Sequence, residues 1–281
     1  MNTFGHILFP VDFSTRCQAT LPFVAAWARR FNSRVTLLHT IHIPISAYGG
    51  ADGYPLMVDV PGIEATAAKR LDQVEFEGAT RIVKMGDPAY EIVKYAEKND
   101  VDLIMMATHG GGTFRSLLLG SVTAKVLHDA HCPVWTSAHS EEPFVHAEVK
   151  NILCAIDGPS SPQLIGCAGE LAKAFGAKLG LVHAVAVDET WPEKYLEGDF
   201  SAALVAKGRE EVAGYQKDAG TSLEAAVEGG KVSRVVHEAA VEHKADLVMI
   251  GSGKVHKPLA RLRSNAYAII RDSPCPVVSG C

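Results

Sequence analysis

Residues 7–12 read Ile7-Leu8-Phe9-Pro10-Val11-Asp12, and residues 152–157 read Ile152-Leu153-Cys154-Ala155-Ile156-Asp157. Both are short apolar runs closed by an aspartate, and they stand 145 residues apart. Leu37-Leu38-His39 returns as Leu181-Val182-His183 at an offset of 144. Asp102-Leu103-Ile104-Met105-Met106 returns as Asp246-Leu247-Val248-Met249-Ile250, again at 144, and Cys132-Pro133-Val134 as Cys275-Pro276-Val277 at 143. Matches in one order with nearly constant offset describe a duplicated domain, not a solenoid of roughly 20–50-residue units. The length of 281 residues agrees, since about 150 residues per domain is the usual prior. The polar stretch Ser140-Glu141-Glu142-Pro143 separates the copies, which are expected to occupy residues 1–140 and 147–281.

Each copy alternates apolar runs with helical periods. Ile7 to Val11, Val35 to His39, Leu103 to Ala107 and Val134-Trp135-Thr136 read as buried strands. After the first, Ser14 can cap a helix whose Leu21, Val24, Ala28 and Phe31 recur at helical spacing. Ala89 to Asn99 and Ser121 to Ala130 read as further helices. In the second copy Leu164, Ala168, Leu171 and Phe175 repeat the first helical face, with Gly176 as a stop. Continuous apolar strands separated by helices predict an α/β fold, a parallel sheet covered on both faces. Ligands of such sheets bind at the carboxyl ends of the strands. That directs attention to Asp12, Thr40 and the run beginning at Ala107.

Composition narrows the classes of function. Hydrophobic residues make up 47% and charged residues 21%, which supports a sizeable core and argues against disorder. A net charge of −5 opposes a general nucleic-acid or anionic-membrane binder. No apolar run is long enough to span a bilayer, and the first residues show no signal-peptide pattern. None of the six cysteines forms a C-x-x-C pair, so all are read as reduced thiols of a cytoplasmic protein, most of them packing as small hydrophobes.

The phosphate-binding candidate follows the strand at Leu103. Ala107-Thr108-His109-Gly110-Gly111-Gly112-Thr113 leads to Gly120-Ser121-Val122-Thr123, which opens a helix. Glycines let backbone approach an anion, and a helix start offers free N–H groups and a positive dipole end. Ser121 and Thr123 add hydroxyls. Taken alone, the same residues also suit a flexible turn. A Walker A loop and a G-x-G-x-x-G fingerprint are absent. The His109-Gly110-Gly111-Gly112 run has no G-x-S-x-G partner that would make it a lipase oxyanion loop.

With these residues in view, the chain resembles a tandem universal stress protein, nearly end to end in both halves. The family pattern is a first strand ending in Asp, a second ending near Leu-His-Val, then G-x2-G-x9-G-[S/T] and a Cys-Pro-Val-type last strand. The first copy reads Ala107-x2-Gly110-x9-Gly120-Ser121, with one departure, alanine at 107. That methyl group is harmless if the backbone there has negative φ and disruptive otherwise. The resemblance implies two Rossmann-like domains of five parallel strands each, and ATP or a related adenine nucleotide in a copy with the full motif, with or without Mg2+. Carried over, Asp12 would contact the adenosine part, and Thr40 would meet adenine through its backbone. Gly110, Gly120, Ser121, Val122 and Thr123 would hold phosphates and ribose, with Pro10, Val11, Ala107 and His109 completing the lining. The alternative role for Asp12 is to cap the Ser14 helix. The second copy retains Asp157 but has Lys254 where the second glycine belongs and Ser264-Asn265 in place of Gly-Ser, which reads as a degenerate site.

Other signals carry less. His128 and His131 beside Cys132 have a spacing that suits zinc, but no third ligand is evident and polar residues suit a helix C-terminus. His39 and His183 at matching strand ends read as structural. Lys254, Lys257, Arg261 and Arg263 form a basic cluster, by default a solvated face. Ile43 to Gly62 is a long Gly/Pro-rich loop whose counterpart, around Trp191-Pro192, differs entirely.

The leading functional expectation is a nucleotide-binding, stress-response regulator in which ATP shifts a conformational equilibrium without fast chemistry. The rival is a slow ATPase or a phosphoryl or nucleotidyl transferase. Phosphoryl transfer usually needs a carboxylate-held metal and an in-line base, yet Thr108 to Val126 contains no Asp or Glu. Arg115 and Lys125 could stabilise charge, and a distant loop such as Val58-Asp59 could supply an acid. A third reading is a ligand-free partner-binding module. The apolar last strands, Val134 to Thr136 and Val277 to Ser279, would be exposed sheet edges unless covered, and the resemblance implies that domains pair through them. An internal pseudo-dimer is therefore expected, with room for a homodimer. The halves expressed separately should self-associate or lose stability relative to the intact chain. Ultracentrifugation and denaturation showing two monomers as stable as the whole would refute this.

Overall fold

The structure, a computed structural model, describes residues 4–43, 59–108, 119–138, 147–186, 199–251 and 264–280. The chain divides into two compact units, with the change between Val134 and Trp135, and the two sequence copies follow one plan. The first runs β1 (His6–Pro10), α1 (Thr15–Phe31), β2 (Arg34–Ile41), α2 (Val60–Asp72), β3 (Thr80–Met85), α3 (Pro88–Lys98), β4 (Leu103–Met106), α4 (Ser121–Asp129) and β5 (Val134–Thr136). Its strand order is β3-β2-β1-β4-β5. The second runs β6 (Asn151–Ala155), α5 (Ser161–Phe175), β7 (Lys178–Ala186), α6 (Asp199–Ala219), β8 (Ala225–Gly230), α7 (Val232–Glu242), β9 (Leu247–Ile250), α8 (Ser264–Asp272) and β10 (Val277–Ser279). Its order, β8-β7-β6-β9-β10, is the same topology. The chain winds outward from β1 to β3, crosses back, and continues from β4. Right-handed crossovers then set the helices on both faces, the Rossmann-like arrangement.

β1 explains why the fold is specified so strongly. Ile7 pairs with Val35 on one side and Leu103 on the other, both parallel. Ile7, Leu8 and Phe9 are fully buried. A strand buried on both faces reads as a continuous apolar run rather than an alternation. Local chemistry then starts the helices. Ser14 accepts from Cys17 N at 3.1 Å and caps α1, while Asp87 accepts from Tyr90 N at 3.0 Å and caps α3. Asp59 caps α2 through Gly62 N at 3.0 Å. The loop expected to reach Gly62 therefore ends before Val60, because a proline in the first turn starts a helix as readily as it breaks a loop. The rest of that loop, 44–58, lies outside the described residues.

The duplication extends to single hydrogen bonds. Asp102 Oδ2 accepts from His6 N at 2.9 Å, and Asp246 Oδ2 accepts from Asn151 N at 2.9 Å. Asp100 and Lys244 both turn the chain with positive φ. One departure is a concerted exchange. In the first unit the imidazole of His6 lies against Thr36 and Asn99, with Nε2 2.9 Å from Thr36 Oγ1. In the second, the counterparts are Asn151, Gly180 and His243. A Cβ on Gly180 would lie 2.7 Å from the His243 ring. An imidazole fills the same corner from a different element, and glycine makes room for it.

Cys17, Cys154 and Cys275 are buried, Cys132 is half-buried, and none of the four is in a disulfide. Burial pushes the thiols of Cys17, Cys154 and Cys275 up to about 12, as packing residues require. Cys167 is disulfide-bonded, which corrects the reading of six reduced thiols. Every other cysteine is distant from it in sequence, so no local spacing announces the bridge.

Burial holds His6 below the ordinary histidine value. The Arg34 guanidinium adds to this, against opposing pulls from the Asn99 carbonyl, Asp102 and Asp100. With the folded value lowered, the unfolded chain binds the proton more readily. The His6 contribution is thus complete above the unfolded value near 6.5 and is lost as pH falls from there through the folded value. Urea titrations should show stability declining from about pH 7 to 5, and a shallower decline in His6→Gln. An identical pH dependence in the variant would refute this account.

Candidate functional site

Because β1, β2 and β4 are parallel neighbours, their carboxyl ends share one edge, and α4 begins at that edge. The structure brings Pro10, Val11, Asp12, Thr40, Ala107, Gly120, Ser121, Val122 and Thr123 to it. His109 and Gly110 lie outside the described residues, as do Gly111, Gly112, Thr113 and Arg115.

Val11 N donates to Leu38 O at 2.8 Å, extending the β1–β2 ladder by one residue. Asp12 follows, exposed, with Oδ1 accepting from Ser14 N at 2.9 Å. The capping alternative is thereby divided: Ser14 caps α1, and Asp12 braces Ser14 while its carboxylate stays at the surface. Phe13 carries the turn with φ of 60°. Its ring lies 4.5 Å from the His39 ring, and the Arg70 guanidinium stands 4.2 Å over it. His39 Nδ1 donates to Val11 O at 2.7 Å, as His183 Nδ1 does to Ile156 O at 2.9 Å. Both histidines tie the ends of neighbouring strands, a structural role. Beside them, Thr40 Oγ1 is closed off from solvent with no hydrogen-bond partner among the described residues.

The other side of the site is the start of α4. Gly120 is its N-cap and makes no side-chain cap bond, so among the described residues the first-turn N–H groups have no side-chain cap. Gly120 N donates to Thr108 O at 2.9 Å and Thr123 Oγ1 to Ala107 O at 3.1 Å, so the described ends of the glycine-rich loop are tied together. The Thr123 hydroxyl proton serves that closure. Ser121 is exposed and Val122 half-buried. Ala107 is not among the non-glycine residues with positive φ, which are Phe13, Asn32, Asp100 and Lys244. At its counterpart, Gly251, an added Cβ would meet only Leu164 Cδ2, at 3.8 Å. The position takes a methyl group without strain, so alanine leaves the motif intact.

Three residues escaped the sequence reading. Phe13 and Arg70 form a stacked wall beside Asp12. Asp87, the cap of α3, also accepts from Lys125 Nζ of α4 at 3.3 Å. The Tyr90 amide and the Lys125 ammonium hold the Asp87 carboxyl below its ordinary value. A search for acids confined to the phosphate loop does not reach residue 87. The described residues are compatible with an adenine nucleotide: a helix start without a side-chain cap suits phosphates, an exposed carboxylate suits base or ribose donors, and a buried hydroxyl stands without a partner.

The corresponding edge of the second unit differs in charge. Glu211 of α6 lies 4.0 Å from His183 Nε2. Burial, Glu211 and Asp157 together raise the Tyr215 phenol above its ordinary value. A carboxylate thus comes from the helix that, in the first unit's order, supplies the Arg70 guanidinium. The basic residues Lys254, Lys257, Arg261 and Arg263 lie outside the described residues.

Comparison with known proteins bears on the family and the fold. The sequence pattern of the Universal stress protein family matches residues 3–137 and again 148–279. Universal stress protein MJ0577 of Methanocaldococcus jannaschii is 31% identical over 46% of this chain and 91% of its own length. Universal stress protein Slr1230 of Synechocystis sp. is 32% identical over 48% of this chain and 42% of its own length. A universal stress protein structure from Archaeoglobus fulgidus superposes with a TM-score of 0.66 over 98% of both chains at 22% identity, a likeness of fold. No helix among the described residues is long and apolar enough to cross a membrane.

A buried hydroxyl without a partner destabilises the ligand-free chain. Thr40→Val, nearly isosteric, should raise its stability by about 1 kcal/mol in chemical denaturation. A loss of stability would show that Oγ1 is satisfied in the free protein.

Proposed function

The chain belongs to the universal stress protein family, with two domains of that family in tandem, and from this premise we propose that it is an adenine-nucleotide-binding regulatory protein of the stress response. The domains span 1–140 and 147–281. ATP occupies the first at the carboxyl edge of its sheet and acts as a ligand-dependent switch without fast catalysis. The observation that carries this reading is the uncapped α4 N-terminus at Gly120, set across the sheet edge from the exposed Asp12 carboxylate. Phosphates interact favourably with free first-turn N–H groups, and a carboxylate accepts from base or ribose donors.

The chain's own groups favour binding over turnover. The carboxylate beside α4, Asp87, has Oδ1 bonded to Tyr90 N and Oδ2 to Lys125 Nζ. With Oδ1 committed to the Tyr90 amide, which holds the carboxyl below its ordinary value, it is a weak base for an attacking nucleophile. In the second domain, Lys254 and Ser264-Asn265 replace the glycines, and Glu211 adds negative charge near Asp157. Both changes disfavour a nucleotide's phosphates, so one site per chain is the expected stoichiometry.

Equilibrium titration should therefore give one ATP per chain. Gly120→Val puts a branched side chain where phosphates approach and should weaken ATP more than tenfold, at least about 1.4 kcal/mol. Two equivalent sites would refute the degenerate second domain, and unchanged affinity in the variant would move the site elsewhere.

A further inference from the structure

We propose that Lys125 is the residue by which the first domain distinguishes nucleotides by phosphate-chain length, and that Asp87 presets it for that task. This inference rests on the adenine-nucleotide reading of the site and adds to it the basis of selection among adenine nucleotides.

Lys125 lies one turn beyond Ser121 on α4. Residues four apart share a helix face, and helical side chains lean toward the N-terminus. The Lys125 stem therefore runs back toward the uncapped first turn. Its position is fixed by observation as well: Nζ is 3.3 Å from Asp87 Oδ2, while Asp87 Oδ1 holds Tyr90 N at the start of α3. The ammonium is thus stationed between two helix starts, α3 already capped by a carboxylate and α4 without a side-chain cap.

The pair is loosely held. Both side chains are about half exposed, at 60% and 46%. An exposed ion pair contributes little and is readily exchanged. A polyphosphate at α4 carries more charge than one carboxylate and presents several oxygens, so it competes well for the ammonium. An adenosine monophosphate ends its charge at the first-turn amides and leaves the ion pair in place.

The second domain lacks this device. Gly86, with φ of 146°, corresponds to Gly230, with φ of 148°, which places Lys231 where Asp87 stands. The nine residues of α8 include no lysine, since the helix reads Ser264-Asn265-Ala266-Tyr267-Ala268-Ile269-Ile270-Arg271-Asp272. The ion pair thus accompanies the intact nucleotide motif and is missing beside the degenerate one.

The test measures dissociation constants of ATP and AMP for the full chain by titration calorimetry. Lys125→Met keeps the length of the side chain and removes its charge. It should weaken ATP by about tenfold, the order of one charge-assisted contact, and leave AMP within about twofold. Lys125→Arg should restore the ATP preference, and Asp87→Asn, which retains a capping oxygen, should tighten ATP by removing the competing carboxylate. An unchanged ratio of ATP to AMP affinity in Lys125→Met, with wild-type binding intact, overturns the proposal alone. Failure of the wild-type chain to bind either nucleotide overturns the underlying site reading, and the two outcomes are distinct.

Discussion

The burial of β1 on both faces and both edges is the constraint on which the rest depends. A strand hydrogen-bonded on each side and covered by helices cannot fade into a loop, because its last polar groups must be paired before the chain leaves the sheet. Val11 N finds Leu38 O, His39 closes on Val11 O, and the chain turns at once through Phe13 into α1. That abrupt turn leaves Asp12 at the surface, beside the ends of β2 and β4. The candidate edge is thus what remains when a parallel sheet finishes cleanly, with the positive dipole end of α4 beside it.

The same backbone requirements recur in the second domain, and there the side chains have diverged around them. The aspartate that holds the β1 start at 102 recurs at 246, and positive-φ turns recur at 86 and 230 and at 100 and 244. Those positions satisfy main-chain groups, and replacing them would leave buried polar atoms without partners. Side chains at the sheet's carboxyl edge have changed where their main-chain partners are exposed, as at the Asp87 cap of α3. Asp87 gives way to Lys231, and the helix after the second strand brings Glu211 in place of Arg70. The fold is preserved by backbone hydrogen bonding, and the charges around the site are free to change places.

How much could be read from the sequence follows the same division. The central strands β1 and β4 and the helices α1, α3 and α4 were legible because they are deeply buried on a regular period. β3 and α2 were not. β3 lies at the sheet edge, and none of its residues is fully buried. α2 buries only Ala67 and Leu71, too few to show a helical stripe. Missing α2 also hid Arg70, and with it the wall against Phe13. Phe13 gave no signal of its own, since a positive φ in a bulky residue is imposed by the chain around it and not by preference. The alanine at 107 raised a question that only backbone geometry could answer, and the disulfide at Cys167 has no local spacing. The Asp87–Lys125 contact joins residues that the topology brings together and no motif connects.

A ligand confined to one of two homologous domains acts asymmetrically. At a concentration a hundredfold above its dissociation constant it stabilises the bound state by about 2.7 kcal/mol, and all of that falls on the domain that binds. The segments positioned to respond are those at the carboxyl edge: the ends of β1 and β2, and the helix starts at Ser14, Asp87 and Gly120. Their contacts are few and partly exposed, such as the Asp12–Ser14 turn and the Asp87–Lys125 pair, so a few kcal/mol is enough to rearrange them. The central strands are held by continuous apolar burial that such an energy cannot disturb. On the proposed reading, a nucleotide signal would be read at the surface of the sheet's carboxyl edge, by side chains that exchange partners while the scaffold beneath them stays fixed.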